Sequence, residues 1–547
     1  MSSKEPFPGT AVSLSCCSSL YIFIARRNAR KALLLVTALL GLSLFLYSMF
    51  NRVTSPYNVH RIPIHEDPSL SVKDISPGQR KLVIILPADR SSPDLCKVIS
   101  SAVALGYPAP VIVNWKTDFH TEEAGIGPSQ LGKITGTLQY LEWATSEEAS
   151  KDEKLGEDDL VLMLDAHDVW LQLPPSVLLH RYFKANERAN KQLAREYGFF
   201  DKTVMEQTII VSAQKGCVAP RDSVSNLHCN DIPESTLPPN VYGFFTDFWK
   251  LRWRFMRPRY VNSGSFMGPA GDMRKYFRRV KERMDADVGL LGPDGELGGD
   301  QGIFAEVFGE QEVWRQRVRR QHDENDDWKD AAVVQLRDKF EYHIGLDYAQ
   351  DLFYPTCYAE DDGYFVSLDD SEAVEEESKR LGVWTPRIDG VPSDIQEAKR
   401  PLEILMGEIQ TNHSWGHVPL YADVWTTAIP VALHHNAWKN GLKSRRATWW
   451  DKTWYFPYLR HLLHAHSQPN GTAPLATLPA RNESLRIVAY DEKRKFRAPL
   501  LFGQHKVKKT WVLRASDWDT VCRNDNEAAE AERHWYDEVF RDRRGPL

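Results

Sequence analysis

The stretch "LVLMLDAHDVWLQLPP", Leu160–Pro175, carries five consecutive apolar residues straight into Asp165 and Asp168, with only Ala166 and His167 between them. A run of that length without alternation is apolar on both faces, as in a strand at the middle of a sheet covered by helices on each side. The neighbouring segments agree. Upstream, "RKLVIILPAD" reads as a strand, "SPDLCKVISSAVALG" as a capped helix with an apolar face, and "APVIVNW" as a second strand, a β-α-β start. "QLGKITGTLQYLEWA" reads as another helix and "SEEASKDEKLGEDD" as a solvated loop. Further strands are expected at "QTIIVSAQ", "RYVNSGSFMG" and near "AIPVALHHN", and helices at "AGDMRKYFRRVKERMD" and "GDQGIFAEVFGEQEVWRQRV". The fold class is α/β.

In α/β sheets ligands bind beyond the carboxyl ends of the strands, where the two aspartates lie. Along a straight strand, residues three apart point to opposite faces, so both carboxylates reach one ion only if the chain turns just after Asp165. Paired hard oxygen ligands suit Mg²⁺ or Mn²⁺, and through them a diphosphate-bearing substrate. The plainer alternative is that Asp165 caps the strand end and Asp168 the next turn.

At the N-terminus, "ALLLVTALLGLSLFLYSMF", Ala32–Phe50, holds no charge over 19 residues; at 1.5 Å per residue it extends about 28 Å, the thickness of a bilayer core. We read residues 32–51 as an uncleaved signal anchor, since the run is long for a signal peptide. Arg26, Arg27, Arg30 and Lys31 precede it against Arg52 after it, which puts residues 1–31 in the cytosol and makes the chain a single-pass type II membrane protein. The remainder is expected in the lumen of the Golgi or endoplasmic reticulum. Residues 52–79 read as a polar stem, 80–440 as the catalytic domain, and 441–547 as an aromatic-rich extension containing "ATWWDKTWYFPYLRHLLHAH".

Five cysteines follow the span, allowing at most two bridges; Cys217 and Cys229, close in sequence, are the expected pair. Cys16 and Cys17 lie in the tail, and acylation is one reading of them, unmodified thiols the other. Glycosylation triplets start at Asn412, Asn470 and Asn482. The net charge of −6 gives no general attraction to phosphate backbones, so nucleic acid is not an expected partner. No Walker motif, G-x-S-x-G or H-E-x-x-H occurs, so NTPase, serine hydrolase and zincin readings lack their signatures.

Six short motifs, "LDAHDVW", "SAQKGCVAP", "YVNSGSFMGPA", "GDQGIF", "LDYAQDLF" and "LHHNAWK", occur in that order between Lys81 and Lys439. The order resembles the glycosyltransferase domain of the procollagen lysyl hydroxylases, and still more a group of related fungal type II membrane proteins. The resemblance implies a GT-A fold, Rossmann-like, and a metal-dependent hexosyltransferase. It would move a sugar from a nucleotide-sugar donor, expected to be UDP-linked, to a hydroxyl of a protein or glycan acceptor. It also implies that Mn²⁺ (or Mg²⁺) is held by Asp165, Asp168 and His434, with His435 the adjacent alternative.

Asn262, Ser263 and Gly264 are then expected at the sugar, though a plain N-S-G turn is the other reading of them. Lys133 and Lys439 are expected near the nucleotide or its diphosphate, Arg257 and Arg259 serving as alternatives to Lys439. Asp300 and Gln301 are expected to be catalytic. The family usually has two consecutive acids before this glutamine; here Gly299 stands in the first position. That departure keeps a second class of function open, a noncatalytic membrane-anchored carbohydrate-binding protein using some of the 17 tryptophans. A third is a metal-dependent phosphodiester or pyrophosphate hydrolase.

Overall fold

The computed structural model describes Thr37, Leu40, Gly41 and Ser43, then residues 76–117, 130–197, 205–217, 225–248, 253–291, 299–323, 336–337, 339–407, 413–437, 444–467, 473–480, 483–494, 497–505, 507–524 and 534–547. The chain divides into two units, Met1–Arg61 and Ile62–Leu547. In the first, the four described residues are helical. Among the described residues no helix is long and apolar enough to cross a membrane; the expected span lies almost wholly outside them, as do Cys16 and Cys17, most of the stem, Lys439, Asn412, Asn470 and Asn482.

The second unit is mixed α/β. In chain order its strands are β1 (Gly78–Pro87), β2 (Val111–Val113), β3 (Leu160–Leu164), β4 (Val169–Leu171), β5 (Ile209–Gln214), β6 (Tyr260–Pro269), β7 (Ile344–Asp347), β8 (Phe353–Pro355), β9 (Gly363–Ser367), β10 (Pro419–Asp423), β11 (Ala432–His434), β12 (Ala476–Ala480), β13 (Glu483–Ala489), β14 (Leu500–Gln504) and β15 (Trp511–Ala515). Ten of them form one sheet with the order β15-β14-β2-β1-β3-β6-β5-β7, β13 joining β1 and β12 joining β13. The centre is parallel: β1 pairs in parallel with β2, β3 and β13, and β2 with β14. β6 runs antiparallel to both β3 and β5.

The continuous apolar runs are explained by two cores. Leu82, Ile84 and Leu86 of β1 and Leu160, Leu162 and Leu164 of β3 enter one core; Val83, Ile85, Val161 and Met163 enter the other. Helices α1 (Pro93–Ala104) and α3 (Pro175–Glu196) cover the first face. The second is covered by α2 (Gly132–Ala144), α4 (Ala270–Leu291) and α5 (Gly299–Asp323), through Ile134, Leu138, Tyr276, Phe277 and Phe304. The start of α1 is fixed by Ser92, whose Oγ accepts the Leu95 N–H at 3.0 Å.

Residues beyond 440 enter this same sheet. Leu485–Ala489 pair with Gly78–Leu82, and Leu500 and Leu501 with Val111 and Ile112. The aromatic run packs as core: the Trp450 and Trp454 indoles donate to the carbonyls of Val539 and Gln172, each at 2.8 Å. Two disulfides are formed, the expected Cys217–Cys229 and a second, Cys96–Cys522, tying α1 to the helix Trp518–Cys522. Cys357 is buried and takes part in neither bridge.

Candidate metal centre at the end of the central strands

β3 ends at Leu164, and the chain turns through Ala166–Asp168 before β4 begins at Val169. That turn cancels the face alternation that would have separated the two aspartates. β4 then leaves the main sheet for a small one in which β11 lies between β4 and β8. Its register places His434 opposite Val169, and the His435 N–H donates to the Asp168 carbonyl at 2.7 Å. On the other flank, the antiparallel ladder between β3 and β6 continues one step, the Asp165 N–H donating to the Gly264 carbonyl at 2.8 Å.

Asp165, Asp168 and His434 therefore meet. One ligand atom from each lies within 4.8 Å of the others, with His434 Nε2 3.4 Å from Asp165 Oδ2 and 3.3 Å from Asp168 Oδ1. The carboxylates keep 24% and 21% of their side-chain surface exposed, whereas His434 keeps 5%, so the cluster is open to solvent on the aspartate side. Burial raises the Asp165 pKa and outweighs the pull of Lys133 and His434. Burial acts on Asp168 in the same sense, but there the His434 charge wins and the carboxyl sits below its ordinary range. Two carboxylate oxygens and one imidazole nitrogen are a donor set that fits Mn²⁺ or Mg²⁺.

His435 is not part of the cluster. Its ring packs on Trp170 at a centroid distance of 4.0 Å, its nitrogens have no hydrogen-bond partner among the described residues, and burial pushes its pKa down to about 3. His167, between the two aspartates, turns its Nδ1 to Ser92 Oγ at 3.1 Å.

Lys133 lies at the same edge in the first turn of α2. Asn114 at the end of β2 holds that turn by donating to the Gly132 carbonyl at 2.7 Å, and Gly136 admits the contact, since a Cβ there would fall 1.9 Å from Asn114 Oδ1. The Lys133 ammonium sits 2.6 Å from Asp165 Oδ1 and 2.6 Å from Asp300 Oδ2 and donates to the Ser263 carbonyl at 3.1 Å. Burial alone would lower its pKa, but the two carboxylates more than offset that. Asp300, in the first turn of α5, is thereby linked to Asp165 of the cluster through one cation. Gly299 before it has φ +72°, a left-handed conformation that an acidic residue would adopt only with strain.

Asn262 and Gly264 face the histidine. Asn262 Oδ1 is 3.0 Å from His434 Nδ1, and a Cβ on Gly264 would lie 2.2 Å from His434 Cε1. Gln301 Oε1 accepts from Asn262 Nδ2 at 3.3 Å and from the Ser263 N–H at 3.4 Å. Gln214, which the sequence did not single out, accepts from Asn262 Nδ2 at 3.0 Å; only its place in "SAQKGCVAP" pointed that way. A small recess of about 40 Å³ adjoins, lined by Gln214, Cys217, Tyr260, Val261, Gln301 and Gly302 among others. Arg257 and Arg259 are committed elsewhere. Arg257 bonds Asp247 and the carbonyls of Ser235 and Leu237, and Arg259 bonds the carbonyls of Ile232 and Pro233 and the Glu234 carboxylate.

Compared with known proteins, the chain matches no family model and no curated protein.

Proposed function

We propose that this chain is a GT-A-type, metal-dependent glycosyltransferase, anchored as a type II membrane protein. It would transfer a hexosyl group from a UDP-linked nucleotide sugar to a hydroxyl of a protein or glycan in the secretory lumen. The observation that carries the reading is the convergence of Asp165, Asp168 and His434 at the carboxyl end of β3. The six ordered motifs resembling the lysyl hydroxylase glycosyltransferase domain supply the reaction class. The disulfides fit an oxidising compartment.

A divalent ion bound by those three side chains supplies Lewis-acid neutralisation of the leaving nucleoside diphosphate. Lys133 adds fixed positive charge at the same edge. The acceptor oxygen forms its bond to the anomeric carbon as the bond from that carbon to the diphosphate breaks, and the acceptor's proton passes to a carboxylate, for which Asp300 is the candidate.

The test is to incubate the purified full chain with Mn²⁺ and a panel of nucleotide sugars, alongside Asp165→Ala and Asp168→Ala. We expect turnover of one donor that both substitutions abolish. Turnover that survives both would overturn the metal-site assignment. Sugar binding without turnover would favour a lectin-like protein, and release of nucleoside monophosphate would favour a hydrolase.

A further inference from the structure

We propose that Asn262 is a positioning residue that fixes the tautomer of His434, so that the Nε2 lone pair is the one presented to the metal; this rests on the metal-site reading above. The orientation of each amide in the chain leading to the histidine is set by a main-chain group whose polarity is not in question. Gln214 Nε2 donates to the Gly216 carbonyl at 2.7 Å, which leaves Gln214 Oε1 as an acceptor. Gln301 Oε1 receives the Ser263 N–H, so it too is an acceptor. The Asn262 amide group lies between those two oxygens and must turn its Nδ2 toward them.

Its Oδ1 is consequently aimed the other way, where the Gly264 N–H donates to it at 3.2 Å. Among the described residues, the remaining contact of Oδ1 is His434 Nδ1 at 3.0 Å. An oxygen cannot donate, so Nδ1 carries the hydrogen. In the neutral ring Nε2 is then unprotonated, and it is Nε2 that faces Asp165 and Asp168. Gly264 completes the seat, because any side chain there would push the ring out of line. On this account Asn262 and Gly264 of the "NSG" triplet serve the histidine. Partners of this kind around a metal-binding histidine are typically worth 10–100-fold in metal affinity.

The test compares Asn262→Leu, which keeps volume and loses the acceptor, with Asn262→Asp, which keeps an acceptor facing Nδ1. Two readouts are taken on the full chain. Mn²⁺ affinity is followed by electron paramagnetic resonance. The His434 tautomer is followed by ¹⁵N NMR of metal-free protein, at a pH alkaline enough for a neutral ring and assigned by difference from His434→Gln.

We expect Nδ1–H in the unsubstituted protein and in Asn262→Asp, with Mn²⁺ affinity within a few-fold. In Asn262→Leu we expect a mixed or reversed tautomer and a 10–100-fold weaker ion. If His434 stays Nδ1-protonated and Mn²⁺ binds equally well in Asn262→Leu, the positioning role is overturned. If the unsubstituted protein binds no Mn²⁺ while the tautomer responds as described, the metal reading fails and the seat for the ring stands.

Discussion

Two clusters of buried charge in this molecule are built from similar parts and end in opposite states. One is Lys133 with Asp165, Asp168, Asp300 and His434. The other is Lys215 with Asp362 and Asp423, at the junction of β9 and β10. In the second, the Lys215 and Asp362 side chains are both wholly buried and form an ion pair. Lys215 also donates to the Arg254 carbonyl at 2.7 Å and lies 3.9 Å from the centre of the Tyr242 ring. Asp423 accepts from the Tyr354 hydroxyl at 2.7 Å and from the N–H groups of Trp425 and Thr426 at 2.7 and 2.9 Å.

The carboxylates of the Lys215 cluster are sealed from solvent, Asp362 also pairing with the half-exposed Arg254 at 3.4 Å, whereas the Lys133 cluster leaves two carboxylates partly open to solvent. A buried ion pair is weak grounds for a function, since folds use them internally. Carboxylates that converge with a histidine and stay reachable are better grounds.

The sharpest break of the comparison is chemical. Asp168→Ala should abolish donor turnover, by at least about 10³-fold if the ion is essential, while leaving the thermal unfolding midpoint nearly unchanged. A loss of fold instead would make Asp168 a structural cap. Conversely, Asp362→Ala should leave Mn²⁺ binding intact but strand Lys215 in the core, lowering stability by about 3–5 kcal/mol in urea unfolding. A near-neutral result there would mean that water reaches Lys215 and the cluster is not closed.

Gly264→Ala falls between the two. Its methyl group would displace the His434 ring, and Mn²⁺ affinity should drop by about 10–100-fold, with a stability cost of about 1–3 kcal/mol from overpacking. Equal affinity would show that the ring has room to shift. The smallest effect is a slope. Burial first, and Asp362 second, push the Asp423 pKa up to about 6. The folded protein then holds a proton that the unfolded chain releases near its ordinary pKa, so the contribution is complete below about pH 4 and is lost as pH rises to about 6. Asp423→Asn should flatten the stability profile across that window, by no more than about 1.4 kcal/mol per pH unit; an unchanged slope would assign it to another group.

The residues themselves tell how much could be read in advance. β1 and β3 were legible because strands buried on both faces leave an unbroken apolar run, and the turn after Asp165 followed from the need to bring two carboxylates to one point. Residues alone gave His434 no priority over His435, because the register between β4 and β11 that separates them is a long-range pairing. The ordered resemblance selected it. The role of Asn262 was hidden for a similar reason: a polar residue beside a glycine looks the same in sequence whether it faces a sugar or a histidine.

Lys133 was expected near the nucleotide or its phosphates, an ordinary exposed helical lysine being the other reading; it is enclosed by two carboxylates, a burial that the weakly amphipathic pattern of α2 does not betray. The partnership of Cys96 with Cys522 was equally out of reach, since connectivity cannot be deduced from spacing. Likewise, patterns after residue 440 reveal strands but not that they pair with β1 and β2.

That last pairing sets a timetable. β1 leaves the ribosome well before its partner Leu485–Ala489, which follows roughly 400 residues later; at ~5–20 residues per second that is a wait of roughly 20–80 s. Until then β1 and β2 offer bare edges to any neighbouring chain. The bond between Cys96 and Cys522 can form only after the 426 residues that separate them have been synthesised, so it closes the fold and does not guide it.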